Sequence, residues 1–326
     1  MKVALAHDRW TEFCPGEAMP EDFGAEFDGE ETIESLLEAI RACGHEAEAL
    51  PVGQNFVRAV PRAGADLVFN IAEGVRGPAR ESLVPAWLDH LDVPYTGSDG
   101  LALGCSLDKA LAKTLARAHG VRTVPFHRVG SLSDLEALDL EFPVFAKPNG
   151  EGSSMGIREN SLIETPEELT RRVEWLLDHY RQDCLVEEYA PGREFCVGLL
   201  GNGELRTLPI VEVRSTNGFY SYEQKSRHNK ELICPADVPE ELEQEMLRMG
   251  RKVFRALRCR DLARVDLKLD REGRPTFLEI NPLPGLSPDF SIFPHQARAG
   301  GFSFPQLIGH IIDSAIERNR RDSERI

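Results

Sequence analysis

The stretch from Arg264 to Ser287, RVDLKLDREGRPTFLEINPLPGLS, constrains this chain more than any other. In RVDLKLD, Val265, Leu267 and Leu269 alternate with Arg264, Asp266 and Lys268, the period of a half-buried strand. A turn follows at Asp270-Arg271-Glu272-Gly273, with Pro275 just beyond it. In TFLEIN, Leu278 and Ile280 are expected on one face, Glu279 and Asn281 on the other. If the apolar faces share a core, Asp266, Glu279 and Asn281 converge with Arg264 on the opposite side. Two carboxylates and an amide oxygen on a rigid hairpin are hard donors of the kind Mg²⁺ takes. Alone, these residues leave two readings open, a solvated amphipathic hairpin and a metal site. The loop Asn281-Pro282-Leu283-Pro284-Gly285-Leu286-Ser287 favours the second, because it is stiff and sets a glycine where a site needs backbone N–H groups.

A chain of 326 residues is long enough for two or three domains with their own cores. Its net charge of −16 argues against a phosphate-backbone binder, since nothing supplies the basic surface that such binding needs. The opening MKVALAHDRW meets His7 and Asp8 too soon for a signal peptide, and no apolar run approaches a membrane span. The seven cysteines are scattered without CxxC spacing, as expected of reduced thiols in a cytoplasmic protein.

Lys2 to Ala6 reads as a strand, followed by an acidic loop over 8–31 and an amphipathic helix, TIESLLEAIRACGH, stopped at Gly44. Glu46–Val52 and Ala65–Asn70 read as further strands and Arg80–Leu91 as a helix, the alternation of a parallel sheet. Ligands of such sheets sit at the carboxyl ends of strands, which places Asp8, Glu73 and Gly74 near a cleft. A helix is expected from Ser106 to Gly120, then strands at 121–129 and Phe142–Pro148. The second of these strands leads into Asn149-Gly150-Glu151-Gly152-Ser153-Ser154-Met155-Gly156. That loop is able to turn N–H groups toward phosphate, with Lys147 adding charge, although it lacks the Walker pattern. Beyond it come a helix at Pro166–Tyr180 and strands at Cys184–Tyr189, Arg193–Leu200 and Leu208–Val213. A polar loop at Gly218–Asn229 suits a lid. A helix at Pro239–Leu257 leads into the hairpin, and a helix from Ser303 to about Arg318 precedes a frayed tail, RNRRDSERI.

Six blocks together resemble the ATP-grasp ligases, and within them the D-alanine–D-alanine ligase family. They are PYTGSDGLALGCSLDK (94–109), FPVFAKPNGEGSSMGI (142–157), LVEEYAPGREFCV (185–197), FYSYEQK (219–225), ARVDLKLD (263–270) and FLEINPLPGLSP (277–288). The resemblance implies an α/β, three-domain ATP-grasp fold. A doubly wound parallel sheet over 1–97 would precede two α+β domains, 98–184 and 185–326, that clamp ATP. It implies that Lys109, Lys147 and Lys225 hold phosphates, helped by the backbone of Ser153 and Ser154. Glu187 would accept from the adenine amino group, and the backbone of Glu188 and Ala190 would read the ring edge. Glu194 would hold the ribose, and Phe219 and Leu278 would sandwich the base. Asp266, Glu279 and Asn281 would bind two Mg²⁺ ions, or Mn²⁺. Arg264 and the Gly285 N–H would form an oxyanion site, and Ser291 would meet the substrate carboxylate. The implied reaction is ADP-forming: a carboxylate becomes an acyl phosphate, and the amine of a second amino acid attacks it. A homodimer is also implied.

The resemblance thins at the first-substrate site. HDRWTEFCPGEAMPEDFGAEFDGEET lacks the family's Gly-Gly loop and its ammonium-binding glutamate, for which Glu26 and Glu31 are the candidates. Asn70-Ile71-Ala72-Glu73-Gly74 stands where the family has His-Gly, and Ser226 where it has the lid tyrosine. Only Ser153 remains of the three residues that bond to one another there. Glu73, a carboxylate in place of a neutral ring, suits an extra ammonium or a first substrate of altered polarity. Three functions follow: a D-alanyl-D-alanine ligase serving peptidoglycan, a ligase of the same mechanism making another dipeptide or amino-acid amide, and a nucleotide-binding protein without turnover. The retained metal and phosphate residues disfavour the third.

Overall fold

The computed structural model describes residues 1–8, 20–215, 218–219 and 231–324. In chain order the first elements are β1 (Lys2–Asp8), α1 (Glu30–Ala42), β2 (Glu46–Val52), α2 (Phe56–Ala63), β3 (Leu67–Asn70) and α3 (Leu83–His90). Then come α4 (Gly100–Leu107), α5 (Lys109–Ala118), β4 (Phe126–Val129), β5 (Val144–Pro148), β6 (Leu162–Ile163), α6 (Pro166–Tyr180) and β7 (Cys184–Glu188). The remainder comprises β8 (Glu194–Leu200), β9 (Arg206–Thr207), β10 (Val211–Arg214), β11 (Glu231–Ile233), α7 (Glu240–Ala256), β12 (Leu262–Leu269), β13 (Pro275–Asn281), α8 (Ile292–Ala299) and α9 (Phe304–Ser323).

These elements build three sheets. The first is parallel, in the order β2-β1-β3, and β3 is joined at Val68 by a parallel bridge to Tyr95. β1 and β3 are buried, as βαβ units require, while β2 at the edge is largely part-exposed. The face carrying Val3, Leu5 and Leu67 packs on Leu36 and Ile40 of α1 and on Leu307, Ile308, Ile311 and Ile312 of α9. The last helix of the chain therefore closes the first sheet. The second sheet, β4-β7-β5-β6, is antiparallel and is backed by Leu169, Val173 and Leu176 of α6. The third, β11-β10-β8-β12-β13 with β9 beside β8, is backed by Met246, Val253 and Phe254 of α7 and by Ala112 and Ala116 of α5.

Local chemistry explains most boundaries. Thr165 caps α6 through Glu168 N–H, with Pro166 in the first turn, and Gly44 at φ +84° ends the run after α1. The single helix expected at Ser106–Gly120 is two helices. Asp99 caps α4 through Ala102 N–H, and Asp108 caps α5 through Leu111 N–H, breaking the run just before Lys109. The strand expected at 121–129 shortens to Phe126–Val129, since Pro125 lacks an N–H for the ladder. Helices α2 and α8 were not expected. The tail does not fray at Arg318: α9 runs to Ser323, and Arg318 is buried against Asp261 at 2.9 Å. Asp261, fully buried, also accepts from Gly97 N–H at 2.8 Å and from Asn202 Nδ2 at 2.8 Å, while Arg318 donates to Tyr95 O at 2.7 Å. One ion pair thus ties the end of the parallel-sheet region to the third sheet and the last helix. A division between 184 and 185 falls at the first residue of β7, whose pairing with β4 and β5 carries the second sheet to Glu188. The six described cysteines are free thiols.

Candidate active site

The hairpin of β12 and β13 sets Arg264 opposite Asn281 and Asp266 opposite Glu279. Val265, Leu267 and Leu269 enter the core, as alternation demands. One correction applies to β13. The register shifts between Asp266 and Leu267, leaving an extra residue at Leu278, a β-bulge. Phe277 and Ile280 both go into the core, whereas Leu278 and Glu279 together line a cleft of ≈ 320 Å³ between the three sheets. Leu278 therefore does not share the core face with Ile280, as strict alternation would have it.

Around the cleft, cations and carboxylates interlock. Arg264 grips Asp266 with two hydrogen bonds of 2.8 Å, and Asn281 Nδ2 donates to Asp266 Oδ2 at 3.1 Å. Arg264 Nη1 has no acceptor among the described residues. Lys109 Nζ lies 3.3 Å from Glu279 and also donates to the Glu151 carbonyl. Burial alone would raise the Glu279 carboxyl, but Lys109, Lys147 and Arg264 outweigh it and hold it at about 2. Glu187, almost fully buried, faces two lysines: Lys147 at 2.9 Å and Lys113 at 2.8 Å. Here too the lysines overcome desolvation, so Glu187 sits at about 2. Lys113 is fully buried at 0 % exposure and donates to Phe277 O, and burial lowers its own pKa. Lys268 lies 3.8 Å from Glu194, whose pKa burial raises, and donates to Gly218 O.

Among the described residues no group of three or more His, Cys, Asp and Glu side chains is set to hold a metal. The donor set nevertheless fits Mg²⁺, which takes one or two carboxylates and completes its octahedron with water and substrate phosphates. Asp266 and Glu279, paired across the hairpin with the Asn281 amide beside them, are that complement.

The loop after β5 is held from below, with Asn149 O and Oδ1 accepting from Lys109 N–H and Ala110 N–H and Gly150 N–H donating to Gln182. Ser153 and Ser154 both adopt positive φ, 51° and 60°, a rare state for side-chain-bearing residues. Their N–H groups have no acceptor among the described residues. Gly156 is required where it stands, with φ +71° and a Cβ position only 2.5 Å from Pro148. Its N–H donates to the buried Asp22, which also accepts from Tyr180 OH at 2.7 Å. The acidic segment around Asp22 is thereby pinned to this loop.

Each expected residue can now be placed. Lys109, Lys147, Ser153, Ser154, Glu187, Glu188, Ala190, Glu194, Phe219, Arg264, Asp266, Leu278, Glu279, Asn281, Gly285, Ser291 and Glu73 all line the one cleft. Lys225 and Ser226 lie outside the described residues. Phe219 packs edge-on against Phe145 with centroids 5.2 Å apart, and Phe145 stacks on Tyr189, so the base wall holds two more aromatics than expected. Ser291 Oγ accepts from Ser287 N–H, and a Cβ on Gly285 would stand 2.9 Å from it. Of the two candidate glutamates, Glu26 reaches the cleft and Glu31 is exposed on α1. Glu26 meets Arg80 at 2.6 Å, and Arg80 also lies 3.2 Å from Glu151. Sequence reasoning missed Arg80, Glu81, Lys113 and Glu151. Only Lys113 carried a signal, four residues beyond Lys109 and so on the same helix face.

A parallel-sheet base with two antiparallel sheets closing over a cleft of lysines and hairpin carboxylates is the arrangement of the ATP-grasp ligases. The profile of the D-ala D-ala ligase C-terminus matches residues 119–313. A D-alanine–D-alanine ligase of Desulforudis audaxviator is 35% identical over 291 residues, 87% of this chain and 92% of that protein. An uncharacterized protein, y4sG, of Sinorhizobium fredii is 39% identical over 300 residues, 87% of each. The crystal structure of the Bacillus anthracis D-alanine–D-alanine ligase complexed with ATP superposes with a TM-score of 0.76 at 20% identity, covering 99% of both chains. The chain belongs to the D-alanine–D-alanine ligase family, ATP-dependent ligases that act on small amino acids.

Proposed function

We propose that this chain is an ADP-forming carboxylate–amine ligase that joins two amino acids through an acyl phosphate, with D-alanyl-D-alanine as the first product to test. The observation that carries the reading is the Asp266–Glu279 pair on the cleft face of the hairpin, flanked by Lys109, Lys147 and Arg264. Two carboxylates for a divalent cation and several cations for a polyphosphate are what phosphoryl transfer to a carboxylate needs. Mg²⁺, when bound, shields the charge that keeps two anions apart.

The chain's own residues do the rest. Lys109 and Lys147, paired with Glu279 and Glu187 in the absence of nucleotide, turn to phosphate oxygens with Lys225. Glu187 accepts from the adenine amino group while Lys113 keeps it ionised. Glu188 and Ala190 offer backbone to the ring edge, Glu194 takes the ribose, and Phe219 and Leu278 flank the base. The open N–H groups of Ser153 and Ser154 face phosphate. Arg264, aligned by Asp266, and Gly285 N–H stabilise the oxyanion formed as the amine attacks. Ser291 and Glu73 contact the amino-acid substrates. The assignment of residues 1–97, 98–184 and 185–326 to three domains, a cytoplasmic location and a homodimer belong to the same reading. Among the described residues no helix is long and apolar enough to cross a membrane.

The test is phosphate release from ATP and Mg²⁺ with a panel of amino acids, followed by mass spectrometry of the products. Release with D-alanine and formation of D-alanyl-D-alanine supports the reading in full. Release with another pair keeps the mechanism and changes the product. No stimulation by any amino acid or small carboxylate refutes it.

A further inference from the structure

The end of the cleft built from the parallel-sheet region carries a charge pattern of which the ligase reading uses only Glu73. Among the described residues Asp8, Glu26, Glu73, Glu81 and Glu151 gather around the Arg80 guanidinium, with Lys109 also facing Glu81 and Glu151. Arg80 is committed to Glu26, to Glu151 and to the Gly150 carbonyl at 2.6 Å. Asp8 accepts from Glu73 N–H at 2.7 Å and Gly74 N–H at 3.0 Å through Oδ2 alone, while its buried Oδ1 has no partner among the described residues. Glu73 and Glu81 complete the unpartnered set. Both line the cleft, and among the described residues neither carboxyl has a hydrogen-bond or ion-pair partner. Glu81 is 8 % exposed, and the nearby charges of Arg80 and Lys109 only partly offset the desolvation of its carboxyl. A second feature points the same way. Asn70, 5 % exposed and lining the same wall, has its Oδ1 on Ala72 N–H but leaves Nδ2 with no acceptor. Unpaired acceptors beside an unpaired donor describe a site that awaits a polar ligand.

We propose that the Glu73–Glu81 pair binds the cationic side chain of the first substrate, a basic amino acid that brings a second positive charge beside its α-ammonium. Glu26 is neutralised by Arg80, so an ammonium gains little there. A single ammonium pairs with one of Glu73 and Glu81 and leaves the other without a cation. An amino acid with a basic side chain pairs with both, and Nδ2 of Asn70 takes one of its oxygens. Burial raises Glu81 to about 8 against the opposing pull of Arg80 and Lys109, the direction expected of a carboxyl short of positive charge. This inference rests on the ligase reading for the identity of the cleft, but its test has a separate readout.

That test is titration calorimetry of the full chain with lysine and with norleucine, which lacks the terminal ammonium, each as both enantiomers and with Mg²⁺ and a non-hydrolysable ATP analogue. Lysine of one hand is expected to bind about tenfold or more tightly than norleucine, the scale of a charge-assisted contact. Glu81→Gln and Glu73→Gln, each close in shape to the native residue, are expected to bring that ratio near one. Equal affinities in the native protein overturn the inference, as does a lysine preference that survives in both variants. Phosphate release separates the two readings. Turnover with neutral amino acids and none with basic ones keeps the ligase and removes the cation site. A lysine preference abolished by Glu81→Gln, with no turnover on any amino acid, keeps the cation site and removes the ligase.

Discussion

Replacing Lys113 by methionine tests whether the adenine end of the cleft is organised by charge. Lys113 and Lys147 hold Glu187 at about 2 from an ordinary 4.5, and at 1.36 kcal/mol per pKa unit that depression is worth about 3 kcal/mol of folding stability. Lys113 gives part of this back, because burial lowers its own pKa, so the net loss in Lys113→Met is expected near 2 kcal/mol. The sign follows from the carboxylate. A depressed folded pKa contributes stability that is complete above 4.5 and is lost as pH falls through it toward 2. In the variant, burial opposes one lysine instead of two, so the folded pKa rises and that pH-dependent contribution shrinks. Urea unfolding of both proteins between pH 7 and pH 3.5 should show a gap that is widest above pH 5 and narrows below 4.5. A gap that stays constant with pH, or no gap at pH 7, refutes the argument and reduces Lys113 to packing. The same variant is expected to raise the KM for ATP more than it lowers kcat if Glu187 contacts the base, as proposed above, and not the reacting atoms.

Other outcomes are equally specific. Glu279→Gln, which neutralises one of the two proposed metal ligands, is expected to cut Mg²⁺-dependent phosphate release by about 10²-fold or more, and near-native rates would remove the hairpin as the metal site. Arg264→Lys loses the fork that Asp266 aligns, so kcat should fall about 10²-fold with little change in ATP affinity, measured by steady-state kinetics. Asp261→Asn strips the buried Arg318 of its counter-charge and should cost about 3–5 kcal/mol in chemical denaturation. Gly156→Ala combines φ +71° with a Cβ 2.5 Å from Pro148 and should cost about 1–3 kcal/mol while weakening nucleotide binding.

What was legible in the sequence was local. The hairpin alternation, the Gly-Ser loop after Lys147 and the capped helix at Pro166–Tyr180 each announce themselves within about ten residues. So candidate metal and phosphate residues could be proposed from these stretches, and those among the described residues line one cleft. The break at Asp108 was hidden because the apolar period continues across it while the aspartate restarts the helix. Helices α2 and α8 each span eight residues and carry an internal proline, which reads as a breaker. The last helix outran its expected end because Arg318 is anchored by Asp261, a contact 57 residues away. The acidic wall was illegible for the same reason in stronger form. Asp8, Glu26, Glu73, Glu81 and Glu151 come from five separate stretches, and only tertiary packing makes them neighbours. Asp8, Glu26 and Glu73 were each singled out, but for their own positions rather than for their company.

The extra residue in β13 has a wider meaning for how this cleft can change. Because the surplus sits at Leu278, excising that one position would return the strand to a plain two-residue rhythm, with Phe277 and Ile280 still inward and Glu279 and Asn281 still outward. The leucine proposed to wall the base is thus an insert, removable without re-aiming the carboxylate next to it. Nucleotide preference and phosphoryl chemistry are in this sense modular, free to drift apart by a single-codon event.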